Sequence, residues 1–247
     1  EWIQYQLDNC ASVAEVLATV SKIRVSPRAP APIHYLVGDS SGTCAAVEFL
    51  EGSAVVHTGD RLPVKTLTNN TYASSLSALR QYQGRAAPSG TSSLARFARV
   101  ASLLRSADPA STEEAVRAAW TVLDAVAMGD YTAWSLVYDL KTRCMYVKTN
   151  RRRKVKRIAL DDLQFECTTP VRVLDINARE HGDIAPSLEQ YTLEHNRNLI
   201  ARSFAQTDFL RHMSDKDIDF NARIPNTHTR CVDAAADNTT QGKGNPE

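Results

Sequence analysis

Residues 33–68 decide the fold of this chain, and they read IHYLVGDSSGTCAAVEFLEGSAVVHTGDRLPVKTLT. Short runs rich in β-branched and aromatic side chains alternate here with Asp, Ser and Gly, a pattern typical of strands joined by tight turns. Connections of so few residues favour antiparallel pairing, because parallel strands need a long crossover. The stretch therefore predicts a meander with strands over residues 33–37, 43–50, 54–57 and 63–68.

Helices are predicted on either side of this meander along the chain. Ser12 and Glu15 have the spacing of a capping box, which predicts a helix running to about Val20. After the meander, residues 72–82 read as helical, and apolar residues recur at helical spacing from Leu94 to Leu104. A second capping box at Ser111 and Glu114 precedes an apolar stripe that we expect to be core, formed by Val116, Ala119, Trp120, Leu123 and Ala127.

The second half of the chain returns to strands and then to a helix. Strands are predicted over residues 132–140, 143–149 and 155–160, and a helix over residues 188–205 that buries Leu193, Ile200 and Phe204. Clusters of strands separated by a helical block indicate an α+β domain rather than alternating βαβ units. We expect one domain over residues 1–230, a proline-blocked connection over 26–32 and a polar, disordered tail over 231–247.

Composition excludes several classes of function. The chain has 247 residues, 43% of them hydrophobic, and a net charge of +1, so it has no bulk electrostatic bias toward nucleic acid or membrane. No apolar run approaches the roughly 18 residues of a spanning helix. The basic cluster over residues 151–157 has two interpretations, a nucleic-acid-binding patch or a solvated hairpin tip. We favour the second because nearby Asp161, Asp162 and Glu166 balance it.

Cysteine and histidine spacing gives no support for metal or disulfide chemistry. The five cysteines are an odd number and contain no Cys-x-x-Cys pair, which argues against a disulfide framework and against zinc. The six histidines show no metal-binding spacing, and both phosphate-binding glycine loops and nucleophile elbows are absent. We therefore expect no metal and no cofactor.

Two residues stand out as candidates for a site, although each also has an ordinary structural interpretation. Asn69 follows a predicted strand, where an Asn is usually a turn residue, but its amide could also donate to a developing oxyanion. Arg96 lies on the polar side of the predicted helix, where most arginines are simply exposed. Their residue types alone leave both interpretations open.

Several segments, in the same order along the chain, resemble the choloylglycine hydrolase and penicillin V acylase family of linear amide C–N hydrolases. The resemblance runs from about residue 1 to about residue 210. It is carried by 6-QLDNCASV-13, 32-PIHYLVGD-39 with Gly42 and Val47-Glu48, Thr68-Asn69, Ala95-Arg96-Phe97, and Asp130-Tyr131-Thr132 with Tyr138-Asp139.

The resemblance implies a four-layer αββα fold of the N-terminal-nucleophile type, with antiparallel sheets. It also implies that an N-terminal cysteine hydrolyses an amide, with Asn69 helping to stabilise the oxyanion and Arg96 placed near the nucleophile. The implied substrates are small N-acyl amides such as a conjugated bile salt, penicillin V or an acyl-homoserine lactone. A homo-oligomer, often a tetramer, is implied as well, with no membrane or nucleic-acid partner.

This sequence also departs from the family pattern. The family's nucleophile precedes the segment that resembles residues 1–13, and Cys10 corresponds to an internal cysteine, so we expect the chain to be a fragment that is inactive alone. Asn70-Thr71 replaces the family's Ser-Pro after Asn69. A non-catalytic binding protein on the same fold is the alternative. The compartment cannot be read from the sequence, and periplasmic, secreted and cytoplasmic locations all stay open.

Overall fold

The computed structural model describes residues 2–23, 25, 33–82 and 89–228. The chain divides into two compact units, Glu1–Arg151 and Arg152–Glu247, and each is described by itself below. Two expectations lie outside the described residues: the proline-blocked connection over 26–32 and the polar tail over 231–247. No described helix is both long enough and apolar enough to cross a bilayer.

The first unit is built on an antiparallel sheet with strand order β1-β2-β3. These strands are β1 (His34–Gly38), β2 (Cys44–Leu50) and β3 (Ser53–Thr58), so three strands of the predicted meander are confirmed. The turn after β2 contains Glu51 and Gly52, both with φ above zero, which is the geometry that matches the twist of a tight hairpin.

The fourth predicted strand, over residues 63–68, is wrong. This segment is irregular, because Pro63 has no N–H to donate and the side chain of Tyr72 takes the place of a neighbouring strand. The Tyr72 hydroxyl accepts from the N–H of Val64 at 3.1 Å and donates to the carbonyl of Val64 at 2.9 Å. Both main-chain groups of Val64 are therefore satisfied without a ladder.

One face of the sheet packs against two short helices, α1 (Trp2–Asn9) and α2 (Val13–Val20). The predicted capping box of α2 is present, with Ser12 and Glu15 bonded to each other's main chain. Helix α1 was not expected from the sequence. Trp2 stacks on Tyr35 of β1 at 4.1 Å between ring centroids, and this face is closed by a core of Trp2, Val16, Val20 and Val47.

The other face of the sheet packs against α3 (Tyr72–Gln81) and α4 (Ser93–Ser106), both close to their predicted bounds. Side chains on a strand alternate between faces, so Val47 points to the first core while Ala46 joins the second. That second core contains Ala46, Leu62, Tyr72 and Phe97. Strand β2 is thus covered on both sides and is the centre of the unit.

The rest of the first unit is α5 (Thr112–Val126) and the hairpin of β4 (Trp134–Asp139) with β5 (Cys144–Thr149). Ser111 caps α5 as predicted, but the Glu114 carboxylate accepts from the N–H of Ala110, not from that of Ser111. The expectation that the apolar stripe of α5 is core is wrong. No residue of the helix is fully buried, because the described elements α4 and β4 cover only part of its surface.

The second unit contains short strands and two helices. Strand β6 (Lys156–Ala159) pairs in parallel with β8 (Gly182–Asp183), and β7 (Arg172–Val173) pairs antiparallel with β9 (Glu189–Gln190). Helices α6 (Leu193–Ala205) and α7 (Asp215–His228) follow.

Two sequence expectations for the second unit need correction. Helix α6 begins at Leu193 instead of 188 because Thr192 caps it, and its apolar residues Leu193, Ile200 and Phe204 are half-buried. The antiparallel pairing expected of the sheets is confirmed, with the two-residue pair β6–β8 as a parallel addition. The argument against disulfides also fails at one position, since Cys167 is disulfide-bonded, whereas Cys10, Cys44 and Cys144 are free thiols.

Candidate functional site

The two candidate residues from the sequence, Asn69 and Arg96, are in direct contact. The Arg96 guanidinium donates through Nη2 to the side-chain oxygen Oδ1 of Asn69 at 2.5 Å, across 27 positions of sequence. Arg96 is fixed a second time, because its Nε donates to the carbonyl of Thr91 at 3.2 Å. The fold therefore brings the end of an irregular segment and the first turns of α4 together at one place.

This contact determines which way the Asn69 amide points. A guanidinium carries donors and no acceptor, so the Asn69 atom that faces it must be the oxygen and not the nitrogen. The amide nitrogen Nδ2 is then turned away, and no described residue accepts a hydrogen bond from it. Asn69 is also exposed, so this N–H₂ group is available to an external acceptor.

A serine on α4 bonds the residues on both sides of Asn69, one through its main chain and the other through its side chain. The hydroxyl of Ser93 accepts from the N–H of Asn70 at 2.9 Å and donates to the hydroxyl of Thr68 at 3.0 Å. Ser93 and Arg96 are three residues apart on the helix and lie on the same side of it. One turn of α4 thus contacts both neighbours of Asn69 and fixes the orientation of its side chain.

A buried carboxylate on β2 holds the other end of this turn. Glu48 is 1% exposed, and both of its oxygens accept from the N–H of Tyr72, at 3.0 and 3.2 Å. Tyr72 is the first residue of α3, where main-chain N–H groups have no partner within the helix. A carboxylate at this position also interacts favourably with the helix dipole.

Two imidazoles flank the same carboxylate. The Nδ1 atom of His34 lies 3.1 Å from Oε1 of Glu48, and Nε2 of His57 lies 3.3 Å from Oε2. The His57 nitrogen is buried and makes no hydrogen bond to any described residue, although Glu48 lies close to it. The His57 ring also packs against Tyr72, with 4.8 Å between ring centroids.

An open concavity of about 370 Å³ lies beside Asn69. Its lining consists of His34, Leu67, Thr68, Asn69 and Ile33. It therefore joins the exposed amide of Asn69 to the partly exposed ring of His34, and an apolar group could rest against Leu67 and Ile33.

Other sequence candidates do not form a site among the described residues. The basic cluster over 151–157 is not a uniform surface, because Lys156 is buried and Arg152 donates to the carbonyl of Asn177. No group of three or more described His, Cys, Asp or Glu residues is placed to hold a metal ion. Burial raises the pKa of the Cys44 thiol, which disfavours a thiolate there at neutral pH.

Sequence reasoning missed the carboxylate and its two histidines. Glu48 was quoted above only as part of a motif, and His34 and His57 only as histidines without metal spacing. The signal was the register of the meander, in which His34 pairs directly with Glu48, and His57 pairs with Ala46 two residues away. Since residues two apart on a strand share a face, the three side chains must meet.

A family model matches the first part of the chain. Residues 1–89 match the family model of linear amide C-N hydrolases, choloylglycine hydrolase family, so Asn69 lies inside the matched region and Arg96 lies beyond it. No curated protein sequence matches the chain.

The fold is similar to that of two solved structures. Penicillin V acylase from Agrobacterium tumefaciens superposes with a TM-score of 0.65 at 24% identity, over 77% of this chain and 66% of that chain. A variant of conjugated bile acid hydrolase from Clostridium perfringens gives 0.50 at 17% identity, over 74% and 64%. About a third of each of those chains has no counterpart in the match. The present chain is an α+β fold of the penicillin V acylase type, and over residues 1–89 it carries the sequence pattern of the choloylglycine hydrolase family.

Proposed function

We propose that this chain is part of a hydrolase that cleaves a linear amide C–N bond in an N-acyl substrate. The observation that carries the proposal is the Arg96–Asn69 contact, which turns the Asn69 amide nitrogen outward beside an open concavity. A fixed N–H donor in such a position stabilises the negative oxygen that forms when an amide carbonyl is attacked. The family match over residues 1–89 supports the same reaction class.

The proposed nucleophile is an N-terminal cysteine that these 247 residues do not include. Its α-amino group takes the thiol proton, and the thiolate adds to the amide carbonyl. The electron pair of the C=O bond moves to the oxygen, which accepts from Nδ2 of Asn69. Collapse of this intermediate breaks the C–N bond, and the amine leaves with a proton from the α-amino group. Water then hydrolyses the thioester. An α-amino group titrates at about 7.7–8.0 and a thiol at about 8.5, so the pair suits neutral pH.

Arg96 has two roles in this proposal. Its guanidinium fixes the Asn69 amide in the donating orientation, which avoids reorganisation at the moment of reaction. It also places a permanent positive charge near the nucleophile, where such a charge lowers a thiol pKa and favours the thiolate. A lysine at this position would keep the charge but could not bond both Asn69 and Thr91 through a planar fork.

The substrate class follows from the relatives and not from a pocket in this chain. The two solved structures are named for penicillin V and for conjugated bile acids, both of which contain an acyl amide. We propose these and acyl-homoserine lactones as candidates. Assembly into a homo-oligomer, a tetramer by family resemblance, belongs to the same proposal and is tested by light scattering of the full-length protein.

The deciding experiment is amine release from these amides by the full-length protein and by two variants. Asn69→Ala removes the donor and is expected to lower kcat by about 100-fold or more. Asn70→Ala is the matched control, since it removes the same side chain from the next position and leaves the Ser93 contact to the main chain intact. Equal rates for Asn69→Ala and the parent protein would refute the assigned role. Substrate binding without any turnover would instead support a non-catalytic binding protein.

A further inference from the structure

We propose that Glu48, flanked by His34 and His57, is a positioning residue that fixes the turn presenting Asn69 and thereby sets the place of the oxyanion donor. This inference rests on the proposed function of Asn69. Glu48 acts through main chain and does not touch the concavity itself, whereas His34 lines that concavity.

The burial of Glu48 needs an explanation beyond packing. A carboxylate that is 1% exposed loses nearly all of its hydration, which is costly unless hydrogen bonds and opposite charges replace the water. An apolar residue would fill this place on β2 at lower cost, as Ala46 does beside it on the same face. A buried acid at this point is therefore more consistent with a specific contact than with core stability alone.

That contact is the main-chain N–H of Tyr72. Both Glu48 oxygens accept from it, and Tyr72 comes three residues after Asn69 at the start of α3. The other end of the turn is held by Ser93 of α4 through Asn70 and Thr68. The turn is thus fixed at both ends, by a strand on one side and by a helix on the other.

The two histidines keep the carboxylate in place. His34 is 21% exposed and His57 is 17% exposed, and they approach different oxygens of Glu48. Each places an imidazole nitrogen within 3.3 Å of a carboxylate oxygen, which replaces part of the hydration that Glu48 loses on burial. With both oxygens engaged, Glu48 has no freedom to rotate away from Tyr72 without losing a polar contact.

The precision of this turn matters for an oxyanion donor. Such donors act when they lie about 2.7–3.1 Å from the developing oxygen, and a shift of about 1 Å in a reacting group can cost about 100-fold in rate. Loosening the N–H of Tyr72 would let the start of α3 and the preceding turn move. We expect Asn69 to respond although its own contact with Arg96 is chemically unchanged.

The test is Glu48→Gln in the full-length protein, which keeps shape and burial but leaves one carbonyl oxygen as acceptor in place of two. Glu113→Gln is the matched control, because Glu113 is an exposed carboxylate in the first turn of another helix, α5. Selective ¹⁵N-asparagine labelling follows the Asn69 side-chain resonance, and hydrogen exchange follows the N–H of Tyr72.

Glu48→Gln is expected to shift the Asn69 resonance and to speed exchange at Tyr72 by about tenfold or more, whereas Glu113→Gln changes neither. It is also expected to lower kcat by about tenfold with KM within about twofold, the pattern of a contact realised in the transition state. Faster exchange at Tyr72 with an unchanged Asn69 resonance would overturn the proposal, since Glu48 would then only support α3.

Failure of the proposed function is distinguishable from failure of this inference. A full-length protein without amide hydrolysis would refute the former, while the resonance and exchange measurements need no turnover and still decide the latter. If Glu48→Gln does not fold, the variant His34→Gln, at a partly exposed residue, is tested instead. It is expected to shift the Asn69 resonance in the same direction by a smaller amount, and an unchanged resonance there would overturn the proposal.

Discussion

The two faces of strand β2 differ in what they bury. The face toward α1 and α2 is closed by apolar side chains, Trp2 and Val47 among them. The face toward α3 and α4 also has an apolar core, but it contains in addition the Glu48 carboxylate and two imidazoles. Two successive residues of β2 therefore have different roles: Val47 belongs to an apolar core, and Glu48 belongs to a polar cluster.

The two faces of β2 contribute differently to the stability of the fold and to the position of the candidate site. The apolar face gains free energy from burial, which tolerates small shifts because the hydrophobic effect has no direction. The polar face makes hydrogen bonds that depend on distance and angle, and these run to Tyr72 and so to the Asn69 turn. A substitution of similar size should therefore affect the candidate site when it is made on the face toward α3 and α4, and not when it is made on the face toward α1 and α2.

The largest expected effects come from deleting one large aromatic side chain on each face. Phe97→Ala and Trp2→Ala should each lower the free energy of unfolding by about 3–5 kcal/mol, measured by urea denaturation. Phe97 is adjacent to Arg96 and meets Tyr72 edge to face at 6.0 Å, whereas Trp2 packs on Tyr35. Only Phe97→Ala should shift the Asn69 side-chain resonance. A similar shift in Trp2→Ala would remove the distinction between the faces.

A smaller effect on stability, with a selective effect on the site, is expected from Ser93→Ala. The variant removes the hydroxyl that joins Asn70 to Thr68 and should cost about 1 kcal/mol of unfolding free energy. It should also shift the Asn69 resonance. Ser102→Ala on the same helix is the control, because Ser102 is exposed and its side chain is expected to contribute little. If the two variants behave alike, Ser93 does not hold the turn.

The smallest effect is expected at Asp39, on the side of the apolar face. Its carboxylate accepts from Ser41 and from the N–H of Val13 at the start of α2, and these hydrogen bonds hold its pKa below the usual value. These hydrogen bonds stabilise the ionised form of Asp39. Their contribution to folding stability is therefore present above the pKa that Asp39 has in the unfolded chain, and it is lost as the pH falls through the lower pKa of the folded state.

Asp39→Asn should therefore flatten the dependence of stability on pH below about pH 4, as measured by urea denaturation at a series of pH values. Activity of the full-length protein near neutral pH should not change. An unaltered pH dependence in the variant would show that the Asp39 contacts contribute nothing measurable to folding.

Much of the first unit could be predicted from the sequence because its signals are local. The caps at Ser12 and Ser111 and the glycine-containing turns of the meander depend on residues only a few positions away. The strand over 63–68 was mispredicted because Tyr72, a residue outside that segment, satisfies its main chain. Two-residue strands such as β7 and β8 have no pattern of their own to detect.

The candidate site was predictable only in part. Asn69 and Arg96 were found through resemblance to a family, and their contact depends on the packing of α4 against the segment before α3, which no local pattern encodes. The Glu48 cluster needed the register of three strands at once. Residues whose role depends on contacts between distant segments, and not on a local motif, are difficult to identify from the sequence alone.

The Arg96–Asn69 pair also makes the site vulnerable to a change of one atom. Spontaneous deamidation would convert the Asn69 carboxamide into a carboxylate, which Arg96 would hold at least as firmly through an ion pair. The shape of the molecule would be preserved while the outward group changed from a hydrogen-bond donor to an anion. Under the proposed role of Asn69, ageing of this one side chain would remove the oxyanion donor without unfolding the protein.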